Sequence, residues 1–172
     1  SSAASDVYKR QKGYSAIGYR VLSKDTQTLF DNTDDLQTSS YEGQIFNGNT
    51  FRLAFMQNLK SSRQSIVISS PKLYHTERNT FVKMLRELHA SGVQVAILTS
   101  EESSQTNYLK SLGLYVKIVP KLSLSSCIID RSTVWYGSIN ILGYVTEEDN
   151  IIKITDGKLA NELLDVIYNS GK

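Results

Sequence analysis

Apolar and polar positions along the 172-residue chain change their rhythm near residue 42. Before that point, residues 25–41 (DTQTLFDNTDDLQTSSY) are rich in Asp, Thr, Ser and Asn and show no period, which predicts a loop or linker. A short strand is expected ahead of it, at 16–22. The opening SSAASDVYKRQ has the look of a translated linker and is expected to lie outside the fold. After residue 42, runs of strand length alternate with stretches of helical period. Asn49 or Thr50 is placed to cap a helix to about residue 62, in which Phe51, Phe55 and Leu59 recur every four residues. SIVISS (65–70), rich in β-branched residues and stopped by Pro71, predicts a buried strand. Thr76 is expected to cap the next helix, to about residue 90, with Phe81, Leu85 and Leu88 on one face and Ser91-Gly92 as its stop. VQVAILT (93–99) predicts a second buried strand, followed by a shorter helix near 103–112 that ends at Gly113. LYVKIV, SSCIID, TVWYG and NIIKIT supply further strands, and KLANELLDVIY supplies a last amphipathic helix.

This alternation predicts an α/β fold, a mostly parallel mixed sheet flanked by helices on both faces. The expected organisation is one domain over 42–172, preceded by tail and linker over 1–41. A chain of this length buries roughly 70% of the surface it exposes when unfolded, enough for a proper core. In open sheets of this kind ligands gather outside the carboxyl ends of the strands. The loops SSPKLYHTERN (69–79) and GSIN (137–140) are therefore the places to look for a site.

Charge adds a mild bias. The net charge is only +2, yet residues 42–91 hold seven Lys/Arg against three Glu, and residues 141–172 hold six Asp/Glu against three Lys. That asymmetry suits an anionic partner such as nucleic acid; two ordinary solvated faces explain it equally well. Cys127 is the single cysteine, so neither an intrachain disulfide nor a cysteine-built zinc site is available, which fits a reducing cytoplasm and a buried structural thiol. No apolar run approaches the ~20 residues of a membrane span, so no membrane partner is expected.

The chemistry concentrates in CIIDRSTVWYGSIN (127–140), where an apolar strand delivers Asp130 and Gly137-Ser138-Ile139-Asn140 follows after a six-residue spacer. That stretch resembles the second part of the phospholipase D superfamily motif, His-x-Lys-x4-Asp-x6-Gly-Ser-x-Asn. With SIVISSP, GVQVAILT and NIIKI around it, the resemblance covers roughly residues 42–168. It is similar to phospholipase-D-like domains appended to bacterial helicases and other DNA-processing proteins. The resemblance implies a histidine that attacks phosphorus, a lysine that neutralises phosphate oxygens, an aspartate behind the histidine that sets its tautomer, and a Ser and Asn that bond phosphate. It implies no metal or other cofactor, because the cation is a lysine. It also implies that two motifs face one another, so that a chain with one motif pairs with itself or with a second such half.

Counting back from Asp130, the lysine position holds Ser125 and the histidine position holds Ser123. The implied function is therefore a phosphodiesterase-family domain with a degenerate motif, acting on or binding nucleic-acid phosphodiesters with weak or no catalysis. The alternative is a catalytically inactive interaction or dimerisation module. The motif positions are Ser123, Ser125, Asp130, Ser138 and Asn140. Lys121 is expected on the same strand face as Ser123 and Ser125, where a displaced cation would still reach phosphate. Lys72 and Arg78, flanking His75, are candidates for the phosphate backbone. Asp130 either keeps its family role or caps the turn between strands. Gly137 is expected to give a tight bend its freedom, with Asn140 either bonding phosphate or satisfying that bend's own amides. Trp135 reads as core, and His89 as structural. Glu147, Glu148 and Asp149 stand where the family often carries a carboxylate after the turn.

Overall fold

The computed structural model describes residues 43–169; the expected tail, the linker and the strand at 16–22 lie outside the described residues. Seven strands form one sheet: β1 (Gly43–Asn47), β2 (Ser65–Ser69), β3 (Gln94–Thr99), β4 (Tyr115–Ile118), β5 (Ser125–Ile129), β6 (Thr133–Gly137) and β7 (Asn150–Thr155), in the order β1-β7-β6-β5-β2-β3-β4. Among the described residues four α-helices accompany it: α1 (Phe51–Lys60), α2 (Thr80–Ala90), α3 (Ser104–Ser111) and α4 (Gly157–Asn169). The α/β class and the mixed sheet with helices on both faces are as expected.

The balance of strand directions is a correction. Only β2-β3 and β3-β4 run parallel, while the pairs β1-β7, β7-β6, β6-β5 and β5-β2 are antiparallel. Parallel neighbours need a crossover of a dozen or more residues, and α2 and α3 provide it in the first half. The link from β5 to β6 is too short for that. Asp130 and Arg131 both take left-handed φ, 54° and 53°, and the Ser132 amide donates to the Ile129 carbonyl at 3.0 Å. Two successive left-handed residues make the type I′ turn, whose twist matches an antiparallel hairpin.

Helices α1, α2 and α3 cover one face of the sheet. Phe51, Phe55 and Leu59 of α1 meet Phe81, Val82 and Leu85 of α2 over Ile66, Ile68, Ile97 and Trp135, all buried. Trp135 is core, as expected; its ring stands edge-on to Phe55 at 5.1 Å, and its indole N–H donates to Asn58 Oδ1 at 2.7 Å. Such edge-to-face pairs add to area burial, and the buried indole donor is satisfied. On the other face α4 is the one helix among the described residues, packing Ala160, Leu164 and Ile167 on Leu98, Ile128 and Val134. Cys127 points into the first core, and burial pushes its thiol well above the ordinary value.

Three local expectations are revised. The α2 cap is Asn79, whose side chain accepts from the amides of Phe81 and Val82, while Thr76 opens a 3-10 turn and bonds Gln105 instead. Lys121 is not on a strand: Pro120 and Lys121 lie in a turn closed by the Leu122 amide on the Val119 carbonyl, and β5 begins only at Ser125. Proline lacks the N–H a ladder needs, so the strand face that Lys121 was to share with the two serines is broken. Strand β1, unread in the sequence, pairs with β7 at the sheet edge.

Candidate functional site

The end of the sheet where β2 and β3 finish is also where β5 and β7 begin and β6 finishes. Ser69 stands opposite Ser126, and Ser125 opposite Gly137, which in turn faces Ile151. The loop after β2, the segment before β5 and the Gly-Ser-Ile-Asn turn after β6 are thus brought to one end. Ser69 and Ser126 join their hydroxyls at 2.8 Å inside it, fully buried.

The turn is tied on two sides. Ser138 Oγ donates to Asp149 Oδ1 at 3.2 Å and accepts from the Asn150 amide at 3.0 Å. Asp149 Oδ2 accepts from the amide and the hydroxyl of Thr146, each at 3.1 Å, so this carboxylate closes the 146–149 loop against the turn. Asn140 looks the other way. Its Oδ1 accepts a short hydrogen bond from Ser70 Oγ, and the same Ser70 oxygen accepts from the Leu142 amide at 3.1 Å. The Tyr74 amide donates to the Leu142 carbonyl at 3.0 Å, which fastens the loop after β2 to the turn. The Asn140 side chain therefore satisfies a neighbouring loop and not its own bend. Gly143 makes the contact possible, since a Cβ there would come within 2.4 Å of Asn140 Nδ2 and 2.7 Å of the Lys72 carbonyl.

Gly137 is glycine for a related reason. Its φ is not left-handed; instead a Cβ would stand 2.3 Å from the Asn150 carbonyl and 2.7 Å from Ile151 Cα. Close strand approach, and not freedom to bend, selects the residue. Asn150 Oδ1 beside it is buried and has no partner among the described residues. An orphaned acceptor of this kind is rare in native proteins and leaves a place for a donor at this end of the sheet.

Ser123 is exposed and Ser125 half-buried at the start of β5, and neither hydroxyl is hydrogen-bonded to a base among the described residues. Asp130 lies at the far end of β5, about 17 Å of extended chain from Ser125. Its carboxylate accepts from the amides of Arg63, Gln64 and Ser65 at 2.7 to 3.2 Å, and its own amide donates to the Ser65 carbonyl at 2.7 Å. An aspartate held there cannot sit behind residue 123 and set a tautomer; it fixes the entrance to β2. Lys72 and Arg78 are exposed on the loop after β2, with Lys72 4.0 Å from Glu101 in a solvent-screened pair. Lys121 is exposed on its turn, and His75 is exposed with its ring 4.0 Å from Tyr74. Nothing in the sequence marks the Tyr74–Tyr144 pair, and for Ser70 the signal is no more than a polar residue after a buried strand. A groove of about 380 Å³ opens elsewhere, between α4 and the opposite ends of β2 and β3.

The family model for the PLD-like domain of cardiolipin synthase matches residues 55–169. The chain belongs to the phospholipase D superfamily. Among solved structures it is similar to Nuc from Salmonella typhimurium, a phospholipase D family member, at 20% identity and a TM-score of 0.63 over 77% of this chain and 96% of that one. NucT from Helicobacter pylori follows at 15% identity and 0.58, over 76% and 96%. TrmBL2, an archaeal chromatin protein described as having a novel mode of DNA binding, matches 96% of this chain and 64% of its own at 14% identity and 0.55. At these identities the likeness is one of fold. No curated protein matches the sequence. Among the described residues no helix is long and apolar enough to cross a membrane.

Proposed function

We propose that this phospholipase-D-like domain binds nucleic-acid phosphodiesters and hydrolyses them weakly or not at all. The carrying observation is the pair of hydroxyls, Ser123 and Ser125, at the strand start where the superfamily motif has histidine and lysine. Metal-free phosphoryl transfer through a covalent intermediate needs a nucleophile that is partly deprotonated near neutral pH and a fixed positive charge for the developing oxyanion. Serine without a base supplies neither. Losing imidazole alone removes a contribution of typically 10²- to 10⁴-fold.

A tied frame surrounds the place of the missing pair: Ser138 on Asp149, Asn140 on Ser70, and the glycines that let these segments touch. Such a frame without a reactive pair favours binding over turnover. The basic bias of residues 42–91 supports an anionic ligand, and a protein of this fold, TrmBL2, is described as binding DNA. Contacts to the backbone would come from Lys72, Arg78 and Lys121 together with the turn, on a surface completed by a second copy of the chain or another half of the same kind.

The test is a gain of function. The double variant Ser123→His, Ser125→Lys is expected to hydrolyse bis-p-nitrophenyl phosphate in the presence of a chelator, at least ~100-fold faster than the parent, whose rate stays near background. Salt-sensitive binding of a labelled oligonucleotide by the parent, without turnover, completes the expected result. Rapid chelator-resistant hydrolysis by the parent would overturn the assignment of weak catalysis, and failure to bind any oligonucleotide at low salt would overturn the assigned ligand.

A further inference from the structure

Resting on that reading, we infer that Tyr74, His75 and Tyr144 form a stacking platform for unpaired bases, so that the nucleic acid recognised is single-stranded. Tyr74 and Tyr144 meet edge to face with ring centroids 5.5 Å apart, and the His75 ring lies 4.0 Å from that of Tyr74. Yet the two tyrosines remain 48% and 67% exposed, so the cluster is not a piece of the core.

The backbone beneath the cluster is fixed. The Tyr74 amide is bonded to the Leu142 carbonyl, Leu142 is bonded back to Ser70, and His75 holds a left-handed φ of 49°. Tyr144 follows Asn140 by four residues, which keeps its Cα within about 14 Å of the turn. Exposed rings on an anchored loop, near the Gly-Ser-Ile-Asn turn, match how single strands are bound without base-edge readout: the backbone follows cations while bases lie on aromatic faces. Lys72 and Arg78 bracket Tyr74 and His75 in the chain and supply the cations. Duplex bases, already stacked on each other, have no free face to offer.

The experiment measures fluorescence anisotropy of the full chain with three labelled probes of equal length: oligo-dT, an abasic phosphodiester strand, and a duplex. Oligo-dT is expected to bind at least ~10-fold tighter than the abasic strand. Tyr74→Leu and Tyr144→Leu should each erase most of that difference and leave abasic binding unchanged, whereas Tyr74→Phe and Tyr144→Phe, which keep the ring, should preserve it. Equal affinity for dT and abasic strands, or tighter binding of duplex, would overturn the platform while the phosphodiester reading stands. Binding of neither strand would overturn both, as would capture of the chain by anionic lipid vesicles in place of oligonucleotides.

Discussion

A carboxylate that accepts from three successive amides, as Asp130 does, is a structural anchor. The Arg63 and Gln64 amides lie on the exposed approach to β2 and the half-buried Ser65 amide opens the strand, so one carboxylate gathers three donors that water would otherwise share. Asp130→Ala therefore removes charge-assisted bonds and also puts alanine at a φ of 54°, which favours glycine, asparagine or aspartate. The expected loss is about 3 kcal/mol of unfolding free energy, read as a lower midpoint in urea, with Asp130→Asn losing less because its amide oxygen still accepts. Oligonucleotide affinity of the folded variant should not change, since the residue stands at the other end of the strand from Ser125. Cys127 makes a second prediction at this scale. Burial raises its thiol pKa, so the folded chain holds the proton more tightly than the unfolded one. Its contribution is complete below the ordinary thiol range and is lost as pH rises through the folded value. Thermal melts across the alkaline range should show a steeper loss of stability in the parent than in Cys127→Ala, and Ellman's reagent should label the thiol only on unfolding.

Elements differ in how far the sequence discloses them. Strands β2 and β3 and the buried faces of α1 and α2 are legible because period and β-branching are local. Pairing direction is not, because it depends on whether a connection is long enough to cross over, and the Asp130-Arg131 turn reads as a hairpin only once its two left-handed residues are seen. The partners of Asp130 and Asn140 lie 65 to 67 and 70 residues away in sequence, so no spacing rule reaches them. Gly137 shows the same limit: its motif position is read from the sequence, but the reason for glycine there is the neighbouring strand. Gly137→Ala would drive a methyl into the Asn150 carbonyl and push β6 from β7, at an expected cost of about 2 kcal/mol. Denaturant unfolding measures that cost, and faster hydrogen exchange at the Ser138 and Ile139 amides, both bonded to the Asn150 carbonyl, would locate it.

For the molecule as a whole, the sheet gathers polar residues from four segments at one end, yet this chain contributes a single Gly-Ser-Ile-Asn turn to it. If a second copy completes the surface, the restored variant Ser123→His, Ser125→Lys should work only as a pair. Its turnover per chain should then rise with protein concentration and level off once dimers dominate. Mixing the two chains separates a paired site from a solitary one. When restored and parent chains are combined in equal amounts and allowed to exchange, only about one quarter of symmetric dimers carry two histidines and two lysines. Activity per restored chain should fall to about half of its unmixed value, because half of the restored chains now sit opposite serines. Activity per restored chain that ignores both dilution and mixing would mean that one motif acts alone, and the paired site would have to be given up.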